Sequence, residues 1–322
     1  MKILVTGSSG HLGEALMRVL RIEGKNVLGI DLLPSPYTDQ IGSIADKSFV
    51  RKTMQGVTHV LHTATLHKPH VATHDQQQFI DTNITGTLNL LEAAVEYGVR
   101  SFIFTSTTST FGDALTPGPD APAAWITEDV VPIPKNIYGV TKTAAEDLCQ
   151  LFYRNHRLPC LVLKTSRFFP EEDDDHAIAT NYADANAKAN EYLYRRVDTE
   201  DVVIAHLLAI EKAPQIGFSK YIISATTPFG KDHLWALRKN AHEVVKSLYP
   251  EFENIYARLG WKMFPSIGRV YVNTKAREEL DWKPKFDFQF ILDRLKNGQE
   301  FKSGLAEMIG SKGYHRSSAQ SS

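Results

Sequence analysis

Lys2-Ile-Leu-Val-Thr-Gly-Ser-Ser-Gly-His-Leu-Gly13 reads as a short apolar strand, a glycine-rich turn and the start of an amphipathic segment that runs to about Glu23. Strand, glycines and helix stand in the order that a bound dinucleotide needs. Gly7 permits a tight turn, Gly10 lets backbone approach a pyrophosphate, and Gly13 lets the helix lie close to the sheet. The helix start then offers unpaired N–H groups to negative charge. A second apolar run, Asn26–Ile30, ends in Asp31, eighteen residues after Gly13. A carboxylate there accepts hydrogen bonds from a ribose diol and repels a 2′-phosphate, so NAD is expected rather than NADP.

The same rhythm continues outward. Val57–Thr63, Ser101–Thr107 and Cys160–Thr165 are further apolar runs, and Ile84–Glu96 and Tyr138–Asn155 carry helical spacing between them. Continuously apolar strands alternating with helices predict an α/β fold, a Rossmann-type doubly wound parallel sheet. After Arg167 the alternation loosens. Asp201–Lys212, Leu234–Leu248, Arg277–Trp282 and Phe288–Lys296 read as helices and Tyr221–Ser224 as a strand. The expected organisation is an NAD-binding domain over 1–170, a smaller C-terminal substrate-binding lobe over 171–312 with some segments returning to the sheet, and a polar, disordered tail over 313–322. The 322 residues are 43% hydrophobic with a net charge of −1, which points away from nucleic-acid and membrane partners. No apolar run approaches the ~20 residues of a membrane span. The opening MKILVTGSSG enters a strand with no signal-peptide pattern, so a cytoplasmic location is expected. Cys149 and Cys160 read as small core fillers.

The segment Asn136–Glu146, NIYGVTKTAAE, places Tyr138 and Lys142 four residues apart on one helical face. A free phenol titrates near ~10, too high for a base at neutral pH. A lysine ammonium and a positively charged nicotinamide beside it would favour the phenolate, and such a tyrosine could exchange a proton with a substrate hydroxyl as hydride moves. The alternative is a structural tyrosine–lysine pair.

Taken together, TGSSGHLG, Asp31, the NITGTLNLLEAA run with Asn83, Gly86 and Thr87, the strand FIFTSTTSTFG and YGVTK resemble the extended short-chain dehydrogenase/reductase superfamily, often called the NAD-dependent epimerase/dehydratase family. The resemblance is strong over residues 1–170. It implies Tyr138 as general acid/base and Lys142 as the anchor of the nicotinamide ribose. Thr107, five residues before Gly112, would polarise the substrate oxygen, with Ser106 its nearest rival. It further implies cofactor contacts from Gly7, Ser9, Gly10, His11, Leu12 and Gly13 of the first turn and from Asp31 at the end of the second strand. Ser43, Ile44, Thr63, Ala64, Asn83, Thr105 and Lys142 would complete them. Substrate contacts are expected from Ser106, Thr107, Thr108, His67, Arg167 and Arg196. Dehydratases of the family carry Asp-Glu after the threonine; Thr108-Ser109 stand there instead, so water elimination is not expected. A homodimer through the NITGTLNLLEAA and KTAAEDLCQLFYRN segments is also implied.

Five histidines, His59, His62, His67, His70 and His74, crowd one stretch. Two fall on a strand and no cysteine or carboxylate cluster joins them, so no metal is expected. The others follow the strand, where His67, Lys68 and His70 could hold an anionic or polyhydroxylated substrate. The sugar-nucleotide epimerases that the chain resembles usually have an Asn near position 167; Arg167 followed by FFPE instead resembles uronate dehydrogenases. A guanidinium binds carboxylate or phosphate bidentately, and its structural alternative is a salt bridge to the acidic run Glu171–Asp175 that follows, itself read as a solvated loop. The expected function is an NAD-dependent sugar-nucleotide epimerase acting by transient hydride transfer. The alternatives are an NAD-dependent dehydrogenase of a free sugar, sugar acid or related alcohol, and a non-catalytic NAD-binding regulator, which the presence of both Tyr138 and Lys142 disfavours.

Overall fold

The computed structural model describes residues 1–171 and 176–313; the acidic run beyond Glu171 and the tail beyond Gly313 lie outside the described residues. The strands are β1 (Lys2–Thr6), β2 (Asn26–Asp31), β3 (Gln40–Ile41), β4 (His59–His62), β5 (Ser101–Thr107), β6 (Ala124–Ile126), β7 (Cys160–Thr165), β8 (Phe218–Ile223) and β9 (Arg269–Tyr271). Seven of them form one parallel sheet in the order β3-β2-β1-β4-β5-β7-β8. β6 and β9 pair in a small sheet of their own. The chain runs from β1 outward to β3 and then crosses to β4 on the other side of β1. The strand order therefore reverses between β1 and β4, and a crevice opens there at the carboxyl ends of the strands.

Alternating strand residues feed two cores, one on each face of the sheet. Ile3, Val5, Leu61, Ile103 and Leu163 meet Leu12 and Leu16 of the helix His11–Ile22 and Val202 and Ala209 of the helix Thr199–Ile216. Leu4, Val60, Phe102, Phe104 and Val162 meet Leu90 and Leu91 of the helix Gly86–Glu96 and Ala145 and Cys149 of the helix Ile137–His156. Strands buried on both faces explain the continuous apolar runs. A third core, with Leu237, Val245, Phe252, Tyr256 and Phe288, belongs to the C-terminal segments.

Several element boundaries differ from the sequence reading. The strand expected at Val57–Thr63 is only His59–His62, because Thr58 turns its hydroxyl back to the Lys2 carbonyl at 3.0 Å. The helix expected from Ile84 is entered earlier: Asp75 caps Gln76–Phe79 by accepting from the Gln78 N–H at 2.8 Å, and a wide turn over Ile80–Thr85 leads into Gly86–Glu96. The strand expected at Tyr221–Ser224 is β8, which begins at Phe218 and pairs with β7.

Candidate active site

The glycine turn is made of backbone. Gly7 has a φ of +71°, and a Cβ on it would stand 2.7 Å from the Ala64 nitrogen. A Cβ on Gly13 would stand 1.9 Å from the Gly7 carbonyl oxygen, so the helix start lies directly against the turn. Gly10 closes the turn by donating its N–H to the Gly7 carbonyl at 3.0 Å. Asp31 ties the turn to β2: one carboxylate oxygen accepts from the Ser9 N–H at 3.0 Å and the other from the Leu33 N–H at 2.9 Å. Each oxygen keeps a further lone pair for a ribose hydroxyl.

His62 locks β1 to β4. Thr87 donates its hydroxyl proton to the Asn83 carbonyl at 2.7 Å, so it accepts from His62 Nε2–H at 2.9 Å. His62 Nδ1 then accepts from the Thr6 hydroxyl at 2.8 Å. Burial, with the Lys142 charge nearby, pushes this imidazole well down, and it serves as a neutral pin.

Above the crevice lies a cavity of about 540 Å³. Of the residues expected to contact the cofactor, Gly7, Ser9, Gly10, His11, Leu12, Gly13, Asp31, Ser43, Ile44, Thr63, Ala64 and Thr105 line it. Two expected cofactor residues do not. Asn83 is buried behind the wall, where it accepts from the Leu66 N–H and donates to the Leu66 carbonyl and to Thr141, at 2.9 to 3.0 Å. It shapes the wall from behind. Lys142 is likewise buried, and its Nζ donates to the Thr105 carbonyl at 2.6 Å while lying 4.0 Å from the centre of the Phe104 ring. Thr105 itself is committed on its side chain: His206 Nδ1–H donates to the Val202 carbonyl, so His206 Nε2 accepts from the Thr105 hydroxyl at 2.8 Å.

Tyr138 opens the helix Ile137–His156, which Asn136 caps by accepting from the Gly139 N–H at 3.1 Å. It lines both the large cavity and a second one of about 120 Å³. Thr107, also on the second cavity, hydrogen-bonds its side chain. Burial pushes Tyr138 up to about 12, and the Thr107 hydrogen bond only partly opposes it. Burial also brings Lys142 down to about 7, with Glu146 one turn along working to keep it charged. Dry surroundings disfavour the ionised form of each group.

Ser106 is corrected as well. Its hydroxyl donates to the Glu146 carboxylate at 2.5 Å, although the residue lies at the large cavity. Glu146 is fully buried with Lys164 at 2.6 Å, and Lys220 reaches it at 3.1 Å. Thr107 is thus the hydroxyl left facing the second cavity beside Tyr138.

Thr108, His67, Arg167 and Arg196 join Thr107 around that cavity, with Lys68 and Glu171. Its charged wall has a hub that sequence reading missed. Glu191, almost fully buried, meets Arg167 at 2.9 Å, Arg195 at 2.6 Å and Arg196 at 2.9 Å. The acidic run proposed as the partner of Arg167 lies, beyond Glu171, outside the described residues. The histidine loop forms the cavity roof: the His67 N–H donates to His70 Nδ1 at 3.0 Å, and the His67 ring lies 5.6 Å from that of Phe169. Burial, with His74 adjacent, pushes His70 down to about 4. Among the described residues no three His, Cys, Asp or Glu side chains gather as a metal site. Phe168 and Phe169 of the FFPE run also line the large cavity, as does Lys312, which no sequence motif marked.

A family model described as the NAD dependent epimerase/dehydratase family matches residues 3–221. A UDP-glucose 4-epimerase of Lactobacillus helveticus is 26% identical, over 89% of this chain and 93% of that protein. An uncharacterized UDP-glucose epimerase of Bacillus subtilis is 29% identical over 52% of this chain; the match spans 56% of that relative's length. Two solved structures share the fold. A short-chain dehydrogenase/reductase superfamily protein from Agrobacterium tumefaciens with bound NAD has a TM-score of 0.66 at 22% identity, covering 92% of this chain and 96% of that one. The UDP-glucose 4-epimerase of Thermotoga maritima with UDP-glucose has a TM-score of 0.63 at 24% identity, covering 93% and 100%.

Proposed function

This chain belongs to the NAD-dependent epimerase/dehydratase family, and on that premise we propose that it epimerises a nucleotide sugar by transient hydride transfer. The family is NAD-dependent, and the residues fit that cofactor: no side chain has room at Gly7 or Gly13, and Asp31 stands at the ribose end. Bound along the large cavity, NAD supplies the hydride acceptor.

The observation that carries the proposal is the position of Tyr138, on the shared wall of a dinucleotide-sized cavity and a smaller one, with Thr107 hydrogen-bonded to it. A sugar hydroxyl in the smaller cavity would meet both side chains. Its proton would pass to Tyr138 as the carbon that bears the hydroxyl gives up hydride to the acceptor that bound NAD would supply. Thr107 holds the oxygen as its carbonyl character develops. In the return step Tyr138 gives the proton back after the keto sugar has presented its other face. A phenol pushed up to about 12 needs a positive neighbour to ionise near neutrality. Lys142 is that neighbour when protonated, and Glu146 favours its protonated form.

A second reading has its own support. The 120 Å³ cavity, the FFPE run and Arg167 suit a dehydrogenase of a free sugar or sugar acid that releases NADH. One experiment separates the two: purified protein is mixed with NAD and a panel of nucleotide sugars, free sugars and uronic acids. A new stereoisomer without net NADH supports the epimerase, and stoichiometric NADH supports the dehydrogenase. Silence across the panel contradicts both. The chain is further proposed to dimerise through the helices Gly86–Glu96 and Ile137–His156, where Val140 and Leu151 are exposed. Sedimentation at twice the chain mass would support this, and at the monomer mass would refute it.

A further inference from the structure

The large cavity is poor in charge for a site that is to hold a pyrophosphate. Among the described residues lining it, Asp31 is the one carboxylate, and Lys312 alone carries an ammonium or guanidinium. The helix start at His11 contributes only about half a positive charge. A dinucleotide brings two phosphates.

Lys312 reaches the cavity from the far end of the chain, and the way it is held is specific. The helix Gly304–Ile309 is rooted in the fold: Leu305 and Ile309 join the core around Leu12 and Leu16. Ser303, at its start, donates its N–H to the buried Asp198 at 3.0 Å. The next residues turn over the glycine loop and are held there by polar contacts. The Lys312 N–H donates to Glu171 at 2.8 Å, and the Ser311 hydroxyl donates to the same oxygen at 3.2 Å. That oxygen also meets His11 Nε2, on the first residue of the cradle helix, at 2.9 Å. The Lys312 ammonium pairs with Glu14 in the first turn of the same helix. Burial works against the Glu171 carboxylate, but His11 and the Lys312 N–H hold it down to about 2, so the catch is charged at neutral pH. The strap is therefore anchored in the core at its root and held by polar contacts at its tip.

We propose that Lys312 is a cofactor-binding residue. Its ammonium serves the pyrophosphate of the dinucleotide, and Ser311–Gly313 closes over the cofactor with Glu171 as its catch. The proposal rests on the NAD reading above and deepens it. Cofactor exchange then requires the tip to lift, which suits an enzyme that keeps its cofactor through a full reaction cycle.

The test needs no substrate. NADH affinity is read by fluorescence and NADH release by a stopped-flow chase with excess NAD. Full-length wild type, Lys312→Met, a chain ended after Gly310, and Lys283→Met as an exposed-charge control are compared. ADP-ribose and adenosine are titrated by competition against NADH. Lys312→Met is expected to weaken NADH and ADP-ribose about tenfold and to leave adenosine unchanged, because adenosine has no phosphate. Release is expected to speed up by a similar factor in Lys312→Met and at least as much in the shortened chain. Lys283→Met should behave as wild type. Unchanged affinity and release in Lys312→Met overturn the proposal, and so does an equal loss for adenosine and ADP-ribose, which would mean a structural role. If wild type itself binds no NADH, the cofactor reading falls and this proposal with it.

Discussion

The glycine turn and the charged wall line two cavities that share Tyr138, and they are built in opposite ways. The turn is one continuous stretch in which backbone forms the surface, and its glycines matter for the atoms they lack. The charged wall is assembled from separate stretches of chain. Arg167, Arg195 and Arg196 converge on Glu191. A surface made of backbone tolerates exchange of side chains but not added atoms. A surface made of ion pairs tolerates neither the loss of its hub nor the burial of charges left unpaired.

That contrast can be broken most severely at Gly13. Gly13→Ala puts a methyl into the Gly7 carbonyl, and the expected cost is at least about 3 kcal/mol of stability together with loss of measurable NADH binding. Ser9→Ala should change stability by less than about 0.5 kcal/mol, because the turn uses the Ser9 N–H. Urea unfolding and NADH fluorescence read both variants. A stable, NADH-binding Gly13→Ala would mean that the helix start can move away from β1.

The opposite wall is tested by Glu191→Gln. Two of its three arginines are about a third exposed, so the loss falls below that of a fully buried pair, at about 2 kcal/mol. NADH affinity should stay within about twofold of wild type. A large loss of NADH binding would show that the two walls are not separate.

A smaller effect belongs to the helix that joins them. Lys142 is brought down to about 7 by burial, against about 10.4 in an unfolded chain. Between those pH values the unfolded chain keeps a proton that the folded one has released. Stability therefore rises with pH across that window, by up to about 1.4 kcal/mol per pH unit. Lys142→Met should flatten that slope in urea titrations between pH 7 and 10, and an unchanged slope would remove the depressed lysine from the account.

The same contrast explains what could be read in the sequence. The turn, Asp31 at the end of its strand and the placing of Tyr138 and Lys142 on one helix were legible because each is written in a short local pattern with a fixed geometric consequence. The parallel sheet followed from apolar runs such as Cys160–Thr165 that are buried on both faces. Glu191 was only partly legible: its spacing to Arg195 is the local i,i+4 pattern, but nothing local marks its link to an arginine twenty-four residues away. Lys312 was hidden for the same reason, three hundred residues from the turn it covers. Ser106 and Thr107 could not be ranked from sequence because neighbouring strand residues point to opposite faces, and only packing shows which one meets Glu146.

The central claim, that Tyr138 carries the proton where the two cavities meet, is tested most directly by Tyr138→Phe. NADH affinity and turnover of the best substrate from the sugar panel are measured on the same preparation. The account predicts NADH affinity within about twofold of wild type and turnover lower by about 10²–10⁴-fold. Turnover equal to wild type would contradict it.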